Sequence, residues 1–162
     1  MDVMELVKNA EELMIDAHHN RTLSAKVNEK GWQVDKAGVD YIHHPLTVAS
    51  FVQDPKEKIV ALLHDTLEDT AVTEGELRGL GFGEDIIAAL KLVTHESDPF
   101  YADPHEEYRA YIRRLKASGN TIAIHVKIAD LTHNTDLRRV GGKKTPKYED
   151  YLWAIDYLKD GK

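Results

Sequence analysis

The chain has no cysteine among its 162 residues. Disulfides, thiolate metal sites and a cysteine nucleophile are therefore excluded. No apolar run approaches the roughly 20 residues of a membrane span, and the N-terminus lacks a signal-peptide pattern. The expectation is a soluble cytoplasmic protein with no membrane partner. Basic residues are in deficit: 21 Lys and Arg stand against 28 Asp and Glu, a formal charge of −7. That argues against nucleic-acid binding, which needs a basic footprint. A small anionic substrate stays open, because a metal and a few local cations can make one pocket positive. Repeats, linkers and low-complexity segments are also missing. With 42% hydrophobic residues, one domain over residues 1–162 with a real core is expected.

What is present centres on Ile59-Val60-Ala61-Leu62-Leu63-His64-Asp65-Thr66-Leu67-Glu68-Asp69-Thr70. Five apolar residues in a row predict a helix buried on most of its surface. Asp54-Pro55-Lys56-Glu57 supplies its start, with Asp as N-cap and Pro at the first position. His64, Asp65, Glu68 and Asp69 then follow within six residues. In a continuous helix His64 and Glu68 share a face, as do Asp65 and Asp69. Three carboxylates at the C-terminal end of an apolar helix oppose both burial and the helix dipole. A metal ion is the compensating cation that fits; the plain alternative is a helix that has reached water.

The rest reads as more helix. Residues 2–18 keep an apolar face at 3–4 spacing, and His18 and His19 close that helix. Residues 20–41 have no clean period, with Trp32 packed under them. Tyr41-Ile42-His43-His44-Pro45 opens a helix with His44 at its entrance. Thr73-Glu74-Gly75-Glu76 is a capping box for a short helix. A longer helix follows Gly83. Asp103-Pro104 starts another, which Gly119 stops. Residues 121–138 are expected to form a well-buried helix with Asp130 and Asn134 on one face. Lys127 is expected to turn partly away from Asp130. Thr145-Pro146 leads into the last helix. About eight helices and no credible strand predict an all-α bundle.

His44, His64, Asp65 and Asp130 gather two imidazoles and two carboxylates. Such a set leaves open positions on a six-coordinate ion and suits Mn²⁺ or Fe²⁺, with Co²⁺ and Zn²⁺ less favoured. A metal-bound water is acidified into a nucleophile near neutral pH. Glu68 and Asp69 can orient that water, accept its proton or protonate a leaving group. Metal-assisted hydrolysis is the reaction class these residues support.

His44…His64-Asp65…Asp130 resembles the HD-domain metal-dependent phosphohydrolases. The blocks around Tyr41–Pro45, Ala61–Thr70 and Val126–Asp130 with Asn134 resemble the hydrolase domain of the RelA/SpoT alarmone enzymes and their small single-domain relatives. The resemblance implies an all-helical HD bundle, one Mn²⁺, and removal of the 3′-diphosphate of (p)ppGpp as pyrophosphate. It makes His44, His64, Asp65 and Asp130 the metal ligands, Glu68 and Asp69 the catalytic pair, and Asn134 a substrate contact. One departure is visible: where the family has a basic pair, this chain reads Asp35-Lys36. For a multiply charged nucleotide, Lys36 and Arg138 are expected to line the pocket, Arg138 because it lies eight residues past Asp130 on nearly the same helix face. Two alternatives stand beside this reading. One is an HD-type nucleotidase or pyrophosphatase for another phosphorylated metabolite; the other is a metal-binding sensing domain without turnover.

Overall fold

The computed structural model describes residues 2–35, 37–140, 142 and 144–160. Among them lie nine α-helices: α1 (Val3–Asn20), α2 (His43–Ser50), α3 (Pro55–Leu63), α4 (Thr66–Asp69), α5 (Glu74–Gly79), α6 (Glu84–Val93), α7 (Pro104–Ala117), α8 (Thr121–Asn134) and α9 (Tyr148–Lys159). A 3₁₀ turn, Leu137–Val140, separates the last two. The all-α expectation holds, and the starts sit where the caps put them. The Asp54 carboxylate accepts from the Lys56 and Glu57 amides, with Pro55 at the first helical position. Thr73 accepts from Glu76, Asp103 from His105 and Asn120 from Ala123. Each such bond satisfies an amide that the helix itself leaves unpaired. Gly119 ends α7 at φ +67°, a conformation that side chains with a Cβ disfavour.

Helix α3 is the axis of the bundle. Ile59, Val60, Ala61, Leu62 and Leu63 are all buried, and the helix packs against α1, α2, α6 and α8. Ile59 is fully enclosed. Ile59→Ala is therefore expected to cost about 2–5 kcal/mol through lost burial and the cavity left behind. Denaturant unfolding reads this directly; a loss under about 1 kcal/mol would show that the site collapses around the gap.

Two expectations are corrected, and a third is filled in. The central helix does not run through to Thr70. It ends at Leu63, His64 and Asp65 form a turn, and α4 adds one further turn. The polar residues are thus presented at a break, where backbone and side chains can face inward, rather than at the end of a single dipole. Helix α8 stops at Asn134, with Thr135 at φ −93°, ψ 0°, and does not reach residue 138. The irregular segment 20–41 is tied down by three isolated bridges, Thr22 to Thr70, Val27 to Gln33 and Val34 to Asp40. Leu23 N–H donates to Asp69 O at 2.7 Å and Ala71 N–H to Arg21 O at 2.9 Å, so this segment is stitched to the end of α4. Trp32 stacks on His19 at 4.0 Å between ring centres.

At the far side, α7 and α9 are joined through Asp150. Its buried carboxylate accepts from His105 Nδ1 and, at 3.1 Å, from Arg109 Nε. The hydrogen bond with Asp150 raises His105 above its ordinary 6.5. A group raised in the folded state adds stability that is fully present below its unfolded value and fades as pH rises through the folded one. Thermal midpoints of wild type and His105→Gln are therefore expected to differ at pH 6 and to converge at alkaline pH. Parallel midpoints across that range would show that the imidazole carries no charge in this bond.

Candidate active site

Three elements deliver the central cluster. α2 brings His44, the turn after α3 brings His64 and Asp65, and α8 brings Asp130. Ligand atoms of His44, His64 and Asp130 all lie within 4.8 Å of one another, and all three residues are buried. His44 Nε2 is 2.8 Å from Asp130 Oδ1, and its Nδ1 shares a proton with His133 Nδ1 at 2.7 Å. His64 Nδ1 donates to Ala61 O at 2.6 Å. That bond fixes the tautomer and leaves Nε2 as a bare lone pair. Nε2 is buried without a hydrogen-bond partner. It faces Asp65 Oδ2 at 3.1 Å and Asp130 Oδ1 at 3.3 Å. Asp65 is held from the other side by the Tyr41 hydroxyl.

The electrostatics follow from burial. Burial pushes Asp65 well above the usual carboxylate range, and nearby Asp130 and Asp69 add to it. Burial acts on Asp130 in the same direction, but Lys127, His64 and His44 outweigh it and hold the group well below that range. Burial lowers His44 to about 4 against the pull of Asp130, so its imidazole is neutral at neutral pH. A lone pair aimed between two carboxylate oxygens is repulsive unless a cation sits among them. The donor set, neutral imidazoles with carboxylate oxygens, is one that divalent first-row metals take. The residues present fit a metal ion: His44, His64 and Asp130 form a group that could hold one, and Asp65 lies beside it.

Around this cluster lie two cavities. The smaller, about 200 Å³, is lined by Asp65, Asp130, Glu68, Asn134 and Arg139 among others. The larger, about 750 Å³, shares Glu68, Asn134 and Arg139 with it and adds Asp69, Gln33, Lys26 and Asp35. Glu68 and Asp69 both lie above their ordinary values because burial penalises the charged form; Asp69 adds to the effect on Glu68. Asn134 donates to Asp130 Oδ1 at 3.1 Å and accepts from Arg139 Nη1 at 2.5 Å.

Arg138 is placed elsewhere. It is exposed and paired with Asp136 at 2.9 Å. The helical spacing that put it on the face of Asp130 fails because α8 ends at Asn134, and the 3₁₀ turn brings Arg139 inward instead. Lys36 lies outside the described residues. Lys127 does not turn away: it is buried, with Nζ 3.2 Å from Asp130 Oδ2 and 5.6 Å from the Tyr111 ring centre. Tyr41 and His133, which meet Asp65 and His44, have no role that the sequence alone assigns.

No protein-family model matches the chain. The GTP pyrophosphokinase of Myxococcus xanthus is 34% identical over 120 residues, 68% of this chain and 16% of that protein. The guanosine-3′,5′-bis(diphosphate) 3′-pyrophosphohydrolase of Spiroplasma citri is 37% identical over 124 residues, 72% of this chain and 16% of that protein. The chain thus spans about a sixth of the length of these relatives. A solved structure described as a metazoan ortholog of SpoT that hydrolyzes ppGpp superposes with a TM-score of 0.63 at 23% identity, covering 98% of this chain and 86% of that one. Fold and site together define the class: an all-helical bundle of the HD type with a buried His-His-Asp cluster at its centre. Within that class the chain is a relative of the (p)ppGpp hydrolases of RelA/SpoT type, and the motif resemblance is matched by similarity along most of its length.

Proposed function

We propose that this chain is a metal-dependent phosphohydrolase that removes the 3′-diphosphate of (p)ppGpp as pyrophosphate, with Mn²⁺ as its ion. One observation carries the reading: the unpartnered His64 Nε2 beside His44, Asp65 and Asp130, with Glu68 lining the cavity that these last three also line. When bound, the ion supplies an acidified water and a positive charge against the phosphate oxygens. The protein's own residues do the rest. Glu68, with Asp69 beside it, takes the proton of the attacking water. Asn134 and Arg139 meet the phosphates, and Lys36 is the further substrate-binding cation that the sequence offers. Arg138 has no part in this contact set.

The test is pyrophosphate release from ppGpp by protein supplied with Mn²⁺, with nucleoside monophosphates run in parallel. Pyrophosphate from ppGpp supports the reading. Orthophosphate from the monophosphates, with ppGpp left intact, would move the chain to the nucleotidase reading. Asp35 on the wall of the larger cavity is the residue that favours that second outcome, because an acid there repels a ligand with four phosphates more than it repels a monophosphate.

Charge makes a further prediction. A tetraphosphate-bearing ligand meets a cavity edged by carboxylates, so the local cations are needed for binding. Arg139→Ala is expected to raise KM by roughly tenfold, about 1.4 kcal/mol, with kcat changed less. Arg138→Ala is expected to leave both constants near wild type. Equal effects from the two substitutions would show that general charge, and not the inward guanidinium, governs binding.

A further inference from the structure

The smaller cavity has a second histidine wall. His95, just past the end of α6, lines it together with Glu68, Lys127 and Tyr108. His95 Nε2 is 2.8 and 3.0 Å from the two carboxylate oxygens of Glu107. Glu107 is buried, and its carboxylate has no closer cation among the described residues. The imidazole stacks on Tyr111 at 4.5 Å and meets the Tyr108 ring edge-on at 5.6 Å, so its plane is fixed. Its Nδ1 has no protein partner among the described residues. Nothing in the metal cluster needs this arrangement, since His95 contacts none of the four ligands.

Hydrolysis needs a proton on the oxygen that leaves. A ribose 3′-oxygen expelled as an alkoxide is a poor leaving group, and a positioned acid contributes roughly 10²–10⁴-fold. Few groups in this cavity can serve. The Tyr41 hydroxyl is committed to Asp65. Burial opposes the charge on Lys127, but Tyr111, Tyr108 and Asp130 hold its proton more tightly than usual. Burial raises Tyr108 and Tyr151, so neither hydroxyl releases a proton readily. Both nitrogens of His44 are engaged. An imidazole backed by a carboxylate is the standard form of a proton donor that works near neutrality. The Tyr108 hydroxyl, buried with no partner on the same wall, is a second polar group awaiting a ligand oxygen.

We propose that His95, oriented by Glu107, is a catalytic residue that gives its Nδ1 proton to the leaving oxygen, opposite Glu68 and Asp69 on the attacking side. The inference rests on the hydrolase reading above for the identity of that oxygen. In the step, the oxygen of water bonds to phosphorus and the phosphorus–O3′ bond breaks. One water proton passes to Glu68, and the proton of His95 Nδ1 passes to O3′. The products are the free 3′-hydroxyl and pyrophosphate; Glu68 then gives its proton to solvent, and solvent returns one to His95. The groups facing His95 are Glu107, Tyr108 and Tyr111 from α7, Glu68 from α4 and, in the same cavity, Lys127 from α8. Glu107 is a positioning residue.

The experiment compares wild type, His95→Gln, His95→Asn and Glu107→Gln with Mn²⁺ on two substrates. One is ppGpp; the other is bis(4-nitrophenyl) phosphate, whose phenolate leaves without a proton. With ppGpp, both His95 variants are expected to lose roughly 10²-fold in kcat, with KM altered under about threefold. Glu107→Gln is expected to lose less than either His95 variant, because the imidazole stays stacked on Tyr111. The nitrophenyl ester is expected to be cleaved at close to wild-type rates by all. Equal loss on both substrates, or loss on neither, overturns the proposal. Failure of wild type to release pyrophosphate from ppGpp overturns the hydrolase reading instead. The dyad is then decided on phenyl against 4-nitrophenyl esters, where loss confined to the phenyl ester supports it and uniform rates overturn it.

Discussion

Asp65→Asn is expected to abolish metal binding and, in the metal-free protein, to raise the thermal midpoint. The two effects have one cause. Asp65 is a part-buried carboxylate facing Asp130 across the His64 lone pair, and Lys127 is paired with Asp130 rather than with it. Without an ion its charge is uncompensated. The amide keeps the shape and removes the repulsion, so the apoprotein gains. A ligand that binds only the folded state adds RT ln(1 + [L]/Kd), about 2.7 kcal/mol at a hundred times Kd. For a chain of this size that is roughly 5–10 °C. Wild type is therefore expected to gain that shift on adding Mn²⁺, and the variant to gain none while binding sub-stoichiometric metal by elemental analysis. Asp130→Asn makes the contrast. It leaves Lys127 buried without its counter-charge, and breaking a buried pair costs about 3–5 kcal/mol. Its metal-free midpoint is expected to fall. If Asp65→Asn binds metal as wild type does, the carboxylate is held by Tyr41 for structural reasons and the ion sits on His44, His64 and Asp130 alone.

The contrast between these two aspartates marks the limit of what the sequence makes legible. Both are visible as candidates because a His-Asp dipeptide at the end of an apolar run, and a lone Asp in a second apolar run, contradict burial unless something compensates. Their neighbours are not visible. Lys127 enters the core because α8 is buried on the side of Tyr108 and Tyr111, which lie on a different helix. Arg139 displaces Arg138 because the backbone leaves the α-helix at Thr135, and nothing in Leu-Thr-His-Asn-Thr-Asp-Leu announces a 3₁₀ turn. The caps at Asp54, Thr73, Asp103 and Asn120 are local chemistry and read true. The break after Leu63 carries no glycine or proline to announce it. The carbonyls freed there are taken by side chains, Ala61 O by His64 Nδ1 and Leu63 O by Thr66 Oγ1, and segment 20–41 bonds further on, at Asp69 and Ala71. His95 and Glu107 are twelve residues apart on different elements, so no spacing rule connects them.

Glu68→Gln is expected to keep the metal and lose the reaction. Glu68 belongs to α4, the short turn that the chain adds after His64 and Asp65, and it lines both cavities. Partial desolvation on that wall and the adjacent Asp69 raise it above its ordinary value of 4.5, which brings a carboxylate closer to the working range of a general base. A base must be deprotonated to act. Activity is therefore expected to fall as pH drops through the raised value, giving an acidic limb above the ordinary glutamate range. The amide removes the base without changing shape, so kcat is expected to drop roughly 10²–10⁴-fold and the acidic limb to disappear. Metal content and the Mn²⁺-induced midpoint shift are expected to match wild type, because Glu68 is not one of the four ligand candidates. Asp69→Asn separates the pair. Leu23 N–H bonds the Asp69 backbone carbonyl, so the segment stays anchored and only the side-chain charge is lost. A smaller loss than for Glu68→Gln, with the acidic limb retained, assigns the proton transfer to Glu68. Should Glu68→Gln turn over ppGpp at the wild-type rate, Glu68 is a wall residue and the base lies with Asp69.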